Sequence, residues 1–377
     1  MAAHGSDRQP LYDMTMPLAL TYALADQHFE RTKSVGILNV SLGLLRHLSQ
    51  HPQVESLTAL ANPTLPLPSP APAALQVRHY RLPLRGRLGR LFWDQWAVYS
   101  AARATGHPWL FLPKGFASFL RRCPVRVAAY VHDTIPLYYR EHYPHAYPAG
   151  EAWYFSRCLQ ATLRQAAVVF TNTDYTRQCV QEAARRWGLS CPPVVVAGIG
   201  FDEPPAVFAH PQDRILCLTG PWPHKLARQT VDFLERWRKE EDFHGSIELV
   251  GRLPADVSAP SSSVWHTHDR LPEAVFRQLL GTARVLVYAS EIEGFGMPPV
   301  EAVLAGVTPV YSDIPAHREV MDGTGCPFTN GDYASFVHAM NKARGVTQDC
   351  LTAWRTQLLA RHHWNLVTAR IVSALLV

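Results

Sequence analysis

Apolar residues fall along this chain in two kinds of run. Short, nearly unbroken stretches come first: LALTY (18–22), WLFL (109–112), VRVAAYVHD (125–133), VVFTN (168–172) and PVVVAG (193–198). A second series follows as ILCLTG (215–220), IELVG (247–251), VLVYAS (285–290) and TPVYSD (308–313). Unbroken rather than alternating apolar character predicts parallel strands covered on both faces. Between them lie stretches with helical spacing, among them SLGLLRHLSQ, YTRQCVQEAARRWG and LARQTVDFLERWRKE. Strand and helix alternating at this interval predicts an α/β architecture with parallel sheets.

The two series are parted by GFDEPPAVFAHPQD (200–213), which is rich in proline and acid and has neither period. A chain of 377 residues exceeds what one hydrophobic core normally supports. The expected organisation is therefore two doubly wound, Rossmann-like domains, 1–199 and 214–360, joined by a hinge at 200–213. Ligands of such sheets bind beyond the carboxyl ends of the strands, so two binding edges face each other across a cleft.

Charge and cysteine content narrow the function classes. A net charge of +5 over this length is too mild to argue for nucleic acid, and no nucleic-acid-binding module is recognisable. Seven scattered cysteines without a C-x-x-C pair read as reduced thiols, which suits a cytoplasmic location. The opening MAAHGSDRQPLYDMTM has no apolar core of a secretory signal, and no apolar run reaches bilayer-spanning length. A proline-rich loop, NPTLPLPSPAPAALQ (62–76), leads into VRHYRLPLRGRLGRLFWDQW. There Arg78, Arg81, Arg85, Arg87 and Arg90 interleave with leucines, Phe92 and Trp93. Residues 78–96 are thus either an interfacial segment for an anionic membrane or a basic surface leading into a buried helix.

The segment EIEGFGMPPVEAVLAG (291–306) carries the densest chemistry. VLVYAS reads as a buried strand and EIEGFG as the turn leaving it. Pro298 and Pro299 suit a helix start, because proline's φ is already helical. Gly294 and Gly296 permit close approach of the backbone to a ligand. A turn and helix start of this kind favour a phosphate or diphosphate. Glu293 then sits at the strand edge, and Glu301 lies about a turn into the helix, where a carboxylate can accept a vicinal diol. The alternative is that Glu301 merely stabilises the helix dipole and Glu293 is a solvated turn residue.

EGFGMPPVE followed by AVLAGVTPVYSDIPAHREV resembles the signature of the family 4 retaining glycosyltransferases, which have the GT-B fold. Further segments resemble that family in the same order: VGILNVSLGLLRHL (35–48), YVHDTIPLYY (130–139), TNTDYTRQCV (171–180), ILCLTGPWPHK (215–225) and RHHWNLVTARIV (361–372). The resemblance implies an N-terminal acceptor domain, a C-terminal nucleotide-sugar domain, and a last helix (361–377) that crosses back to the first domain. It implies that Glu293 binds the transferred sugar near the reacting carbon and that Glu301 takes the ribose. By the same resemblance the backbone of Phe295, Gly296 and Met297 holds sugar and diphosphate, Lys225 neutralises the diphosphate, and Gly36 lets the N-terminal domain close over it. His132 reaches the sugar or acceptor, and Asp133 orients that ring or serves the acceptor; a structural hydrogen bond and a turn cap are the simpler alternatives.

Many members carry arginine where this chain has His224, which replaces a bidentate phosphate donor only in part and in a pH-dependent way. Arg228 or Arg252 is the candidate substitute. The implied partners are a nucleoside diphosphate sugar, GDP- or UDP-linked, and a glycan or lipid-linked acceptor, with neither metal nor other cofactor and with possible peripheral contact to a membrane through 78–96.

Overall fold

The computed structural model describes residues 17–27, 35–81, 86–203 and 213–377. Its first half alternates β1 (Leu18–Leu24), α1 (Val35–Leu48), β2 (Val54–Ala61), β3 (Leu75–His79) and α2 (Gly86–Phe92). A π-helical turn, Trp93–Ala97, leads into α3 (Val98–Arg103), β4 (Trp109–Leu112) and β5 (Arg126–Val131). Then come α4 (Ile135–His142), α5 (Ala149–Gln165), β6 (Ala166–Thr171), α6 (Asp174–Arg186) and β7 (Val194–Val196). Among the described residues these strands form a seven-stranded sheet, ordered β3-β2-β1-β4-β5-β6-β7. Every neighbouring pair is parallel.

The second half runs β8 (Arg214–Leu218), α7 (Ala227–Glu240), β9 (Ser246–Val250), β10 (Trp265–His268), α8 (Glu273–Thr282) and β11 (Val285–Tyr288). It continues with α9 (Met297–Leu304), β12 (Thr308–Ser312), α10 (Pro315–Met321), β13 (Cys326–Phe328), α11 (Tyr333–Arg344), α12 (Gln348–Arg361) and α13 (Trp364–Leu376). Its sheet is ordered β10-β9-β8-β11-β12-β13 and is also parallel. Most of the unbroken runs read from the sequence are central strands, and β4 and β11 are buried along their whole length, but PVVVAG is the edge strand β7, half-buried throughout. β2, β3 and β13 carry no such signal. Glu55 and Ser56 interrupt β2, β3 is mostly exposed, and β13 is three residues long.

The chain passes between the sheets near Phe201 and again at His362–His363. Phe201 N–H donates to the His362 carbonyl at 2.9 Å, and Phe201 bridges His363. Residues 204–212, most of the expected hinge, lie outside the described residues. α13 packs on α1 and on the sheet of the first half, against β1, β6 and β7. Trp364 is the wedge at this return. A Cβ on Gly43 or on Gly200 would overlap its ring, and His47 stacks on it at 5.2 Å. One apolar core therefore runs from β1 and α1 through Trp364 to Phe295, Val300 and Val303. The turn before α9 is thereby rooted in a core shared by both halves.

Candidate active site

Each sheet has a point where strand order reverses, and in the second sheet it falls between β8 and β11. Lys225 lies beyond the end of β8, in the single 3₁₀ turn Pro223–Lys225, and Glu293 follows β11. Across that crevice Lys225 Nζ meets Glu293 Oε1 at 2.5 Å, with side chains only 21% and 11% exposed. Tyr288 Oη donates to the same oxygen at 2.7 Å and accepts from Lys225 at 2.7 Å. Burial alone would raise the Glu293 pKa, but Lys225, with His224 and His317 nearby, outweighs it and holds the carboxylate at about 2. Burial likewise opposes the charge on Lys225, and Glu293 and then Tyr288 reverse that and raise it. Both groups stay ionised across the physiological range.

The turn from Glu293 to α9 is shaped by its neighbours. Gly296 has φ +83°, a left-handed conformation that favours glycine, and a Cβ there would overlap the His317 ring. His317 Nδ1–H donates to the Ser312 carbonyl at 2.7 Å, which leaves Nε2 buried without a hydrogen-bond partner among the described residues. Gly294 is required for a different reason from close approach to a ligand: a Cβ would overlap the His132 carbonyl of the first half. Its own carbonyl accepts from Thr173 Oγ1 at 2.7 Å and Thr176 Oγ1 at 3.1 Å. Gly294 thus presses against protein, which corrects one of the two expectations placed on these glycines, and the Gly296 geometry is set by His317.

Proline at 298 and 299 removes two N–H groups from the first turn of α9. The remaining donors, the N–H groups of Phe295, Gly296 and Met297, have no hydrogen-bond partner among the described residues. Phe295 directs its ring into the core, 6.0 Å from Phe201 and 5.2 Å from His362, so only its backbone faces outward chemistry. Gly36, the second residue of α1 and not part of a loop, lies across from Met297; a Cβ there would sit 3.6 Å from Met297 Sδ. Glu301 is half-buried on α9, and its carboxylate has no hydrogen bond among the described residues. Burial, reinforced by Glu273 and opposed by Arg277, pushes its pKa up to about 7.

Asp133 and His132 approach from the first half. Asp133 Oδ1 accepts from Ile135 N–H at 3.0 Å, the turn-capping alternative. Burial, partly offset by that bond, raises its pKa to about 6, with Glu293 adding and Lys225 subtracting. His132 Nε2 lies 2.7 Å from the Pro113 carbonyl, which fixes the proton on Nε2 and leaves Nδ1 as a lone-pair acceptor. Burial holds its pKa down at about 4, so it is uncharged.

His224 departs from expectation. It is buried, its Nδ1 lies 2.5 Å from Tyr139 Oη, and burial together with Lys225 lowers its pKa to about 4. It cannot act as a pH-dependent cation near neutrality; its carbonyl instead accepts from Glu291 N–H at 2.8 Å and steadies the turn. Arg228 is turned to Asp256 at 2.8 Å on the surface, and Arg252 is exposed in the loop after β9. Sequence reasoning missed Tyr288, Glu291, His317 and Glu319. Glu319 accepts from the N–H groups of Asp174 and Tyr175 at 2.6 and 3.0 Å, capping α6 of the other half. Glu291 accepts from Tyr143 Oη at 2.5 Å. Among the described residues no group of three or more His, Cys, Asp or Glu is arranged to hold a metal ion.

Comparison with known proteins shows what this geometry is similar to. A family model described as Glycosyl transferases group 1 matches residues 212–344. Over those residues the chain is similar to the group 1 glycosyltransferases. The O-antigen chain mannosyltransferase RfbU of Salmonella typhimurium is 26% identical over 210 residues, which is 54% of this chain and 56% of that protein. The chain thus spans little more than half the length of this relative. The α,α-trehalose-phosphate synthase of Burkholderia vietnamiensis superposes with a TM-score of 0.64 at 11% identity, over 96% of this chain and 99% of the other. Sucrose-phosphate synthase of Thermosynechococcus elongatus gives 0.63 at 15% identity, over 94% and 98%. The two facing sheets are the GT-B fold.

The ionisation of Glu301 yields a directional test. Its carboxyl is protonated below about pH 7 and ionised above it, and only the carboxylate offers two acceptors to a diol. UDP or GDP affinity should rise between about pH 6 and about pH 8, whereas Glu301→Gln should bind about 10-fold more weakly with a flat profile. Fluorescence or calorimetric titration across that range checks it, and an identical profile in the variant removes the ribose role.

Proposed function

We propose that the protein is a retaining glycosyltransferase that moves a sugar from a nucleoside diphosphate donor to a hydroxyl of a glycan or lipid-linked acceptor, in cell-surface polysaccharide or lipopolysaccharide synthesis. The observation that carries this reading is the Lys225–Glu293 pair at the β8/β11 crevice, beside three unpartnered backbone N–H groups. The fold and the match of residues 212–344 support the donor side, and the similarity to RfbU supports the setting.

In this reading the donor diphosphate lies against the N–H groups of 295–297 and exchanges with Glu293 for the Lys225 ammonium. Lys225 then stabilises the negative charge of the leaving group, an effect realised most strongly as the glycosidic bond breaks. Glu293, ionised down to about pH 2, accepts hydroxyl protons of the sugar beside the reacting carbon. Glu301 accepts the ribose hydroxyls. The departing phosphate takes the acceptor proton on the same face, so configuration is retained and the protein contributes positioning and charge rather than a covalent intermediate. Neither a metal nor another cofactor is needed for that charge balance. His132 Nδ1 and Asp133, at the edge of the first half, complete the sugar's polar surroundings.

The membrane side of the proposal rests on a surface stripe. Leu88, Phe92 and Trp96 follow one another at four-residue spacing and are 64%, 38% and 44% exposed. Trp153 packs edge-on against Phe119 at 5.7 Å and is itself exposed, and Arg121 reaches the Trp96 carbonyl at 3.5 Å. Apolar rings flanked by arginines suit an anionic bilayer surface. The segment 78–96 is not one face, however: Trp93 is buried, Arg90 turns inward toward Tyr154, and Arg85 lies outside the described residues. No helix of the described residues is long and apolar enough to cross a membrane.

Two experiments test these statements. Incubation with UDP- and GDP-sugars should show transfer or slow donor hydrolysis, lost by about 100-fold or more in Glu293→Ala, with the product anomer retained by NMR. Nucleotide binding with no turnover under any donor would favour a non-catalytic binder of the same fold, and an inverted anomer or an epimerised sugar would indicate another GT-B reaction. Separately, co-sedimentation with phosphatidylglycerol vesicles should fall sharply in Leu88→Glu/Trp96→Glu, while phosphatidylcholine vesicles bind neither protein. Equal sedimentation of the variant would remove the membrane contact.

A further inference from the structure

Lys225 reaches the crevice on a strained support. The chain leaves β8, makes the 3₁₀ turn Pro223–Lys225 and enters α7 through Leu226, whose φ is +48°. A leucine holds that left-handed conformation only where its surroundings impose it. The turn closes on itself through Lys225 N–H to the Trp222 carbonyl at 2.9 Å and Leu226 N–H to the Pro223 carbonyl at 3.0 Å. Its further ties run through His224.

The His224 carbonyl accepts from Glu291 N–H at 2.8 Å and from Ser290 Oγ at 3.2 Å. Those bonds join the arm after β8, which carries Lys225, to the arm after β11, which carries Glu293. The His224 ring is tied to the first half instead. Its Nδ1 lies 2.5 Å from Tyr139 Oη, and the His224 N–H lies 3.5 Å from the same oxygen. Tyr139 stands on α4, is 1% exposed, and sits edge-on to Trp222 and His224 with ring centres 6.0 and 5.5 Å away. Tyr138, beside it, and Tyr143, just after α4, donate to Glu291 at 3.4 and 2.5 Å. One segment of the first half thus grips both arms that bear the crevice ion pair.

We infer that Tyr139 is a positioning residue for Lys225: through His224, its hydroxyl holds the turn that sets the ammonium where a diphosphate meets it. Tyr139 itself touches no donor atom. The buried imidazole needs a partner, because a buried polar atom left without one is costly. Without the Tyr139 hydroxyl, the turn relaxes away from the left-handed Leu226 geometry and the ammonium moves with it. A displacement of about 1 Å is enough to weaken the action of a fixed charge on a reacting group. The cation of the second half is therefore held in place by a hydroxyl of the first, and donor affinity depends on how the halves meet.

This inference rests on the donor reading, in which Lys225 is the counter-charge of the diphosphate, and the test separates the two. UDP and GDP would be titrated calorimetrically into the whole chain as Glu293→Gln, Glu293→Gln/Tyr139→Phe, Glu293→Gln/Lys225→Met and the triple variant. Tyr139→Phe keeps the ring and its packing and removes only the hydroxyl. With Lys225 present, it should weaken whichever nucleotide binds by about 5-fold. With Lys225→Met it should have no further effect, because the group being positioned is gone. His224→Leu in place of Tyr139→Phe should repeat both results, so a variant that folds poorly at one end of the bond is checked at the other. Equal weakening with and without Lys225 would mean a general structural role and overturn the inference, as would unchanged affinity in both Lys225-containing variants. Absence of nucleotide binding by Glu293→Gln, or its equal affinity with Glu293→Gln/Lys225→Met, would instead contradict the donor reading, and this inference with it.

Discussion

Two opposite charges withdrawn from water at a strand-reversal point set the terms for the rest of this molecule. Lys225 and Glu293 are mostly buried, and each balances the other's charge there. Removing one partner of such a pair typically costs about 3–5 kcal/mol, although an apolar replacement of both is often neutral. The pair is thus a poor device for stability and a good one for holding a cation and an acceptor ready in a dry crevice. Tyr288 shares its proton network, and the neutral, buried His224 fixes the turn that carries Lys225.

From that pair the contacts spread into the junction between halves. The turn after Glu293 carries Gly294 onto the His132 carbonyl and the Thr173 and Thr176 hydroxyls. Glu319 caps α6, and Glu291 binds Tyr143, so three consecutive features of the second half end on polar groups of the first. The Trp364 wedge and the shared core keep that register from the opposite side. Cleft geometry is therefore fixed by hydrogen-bonded polar groups near the site and by apolar packing away from it.

Much of the architecture could be read from the chain because parallel strands buried on both faces leave uninterrupted apolar runs. The edge strand β3 leaves none, since most of its residues face water, whereas the edge strand β7 keeps an apolar run because its three residues are half-buried. The candidate site was legible where chemistry is local: Glu293, Glu301, the helix start at 297 and Lys225 all lie in short segments that name their own neighbours. It was illegible where roles depend on distant partners. Glu319 reads as an ordinary helix acid until α6, about 145 positions earlier, is brought against it. Gly294 reads as a ligand-facing glycine for the same reason, because its steric partner is His132. His224 looked titratable, and only its burial against Tyr139 makes it neutral.

Calorimetric titration of UDP and GDP into Glu293→Gln and into Glu293→Gln/Lys225→Met tests the role of the crevice cation most directly, because no uncompensated carboxylate remains in either protein. If Lys225 is the diphosphate's counter-charge, the double variant loses about 10-fold or more in affinity for whichever nucleotide binds. Equal affinity in the two proteins would contradict it.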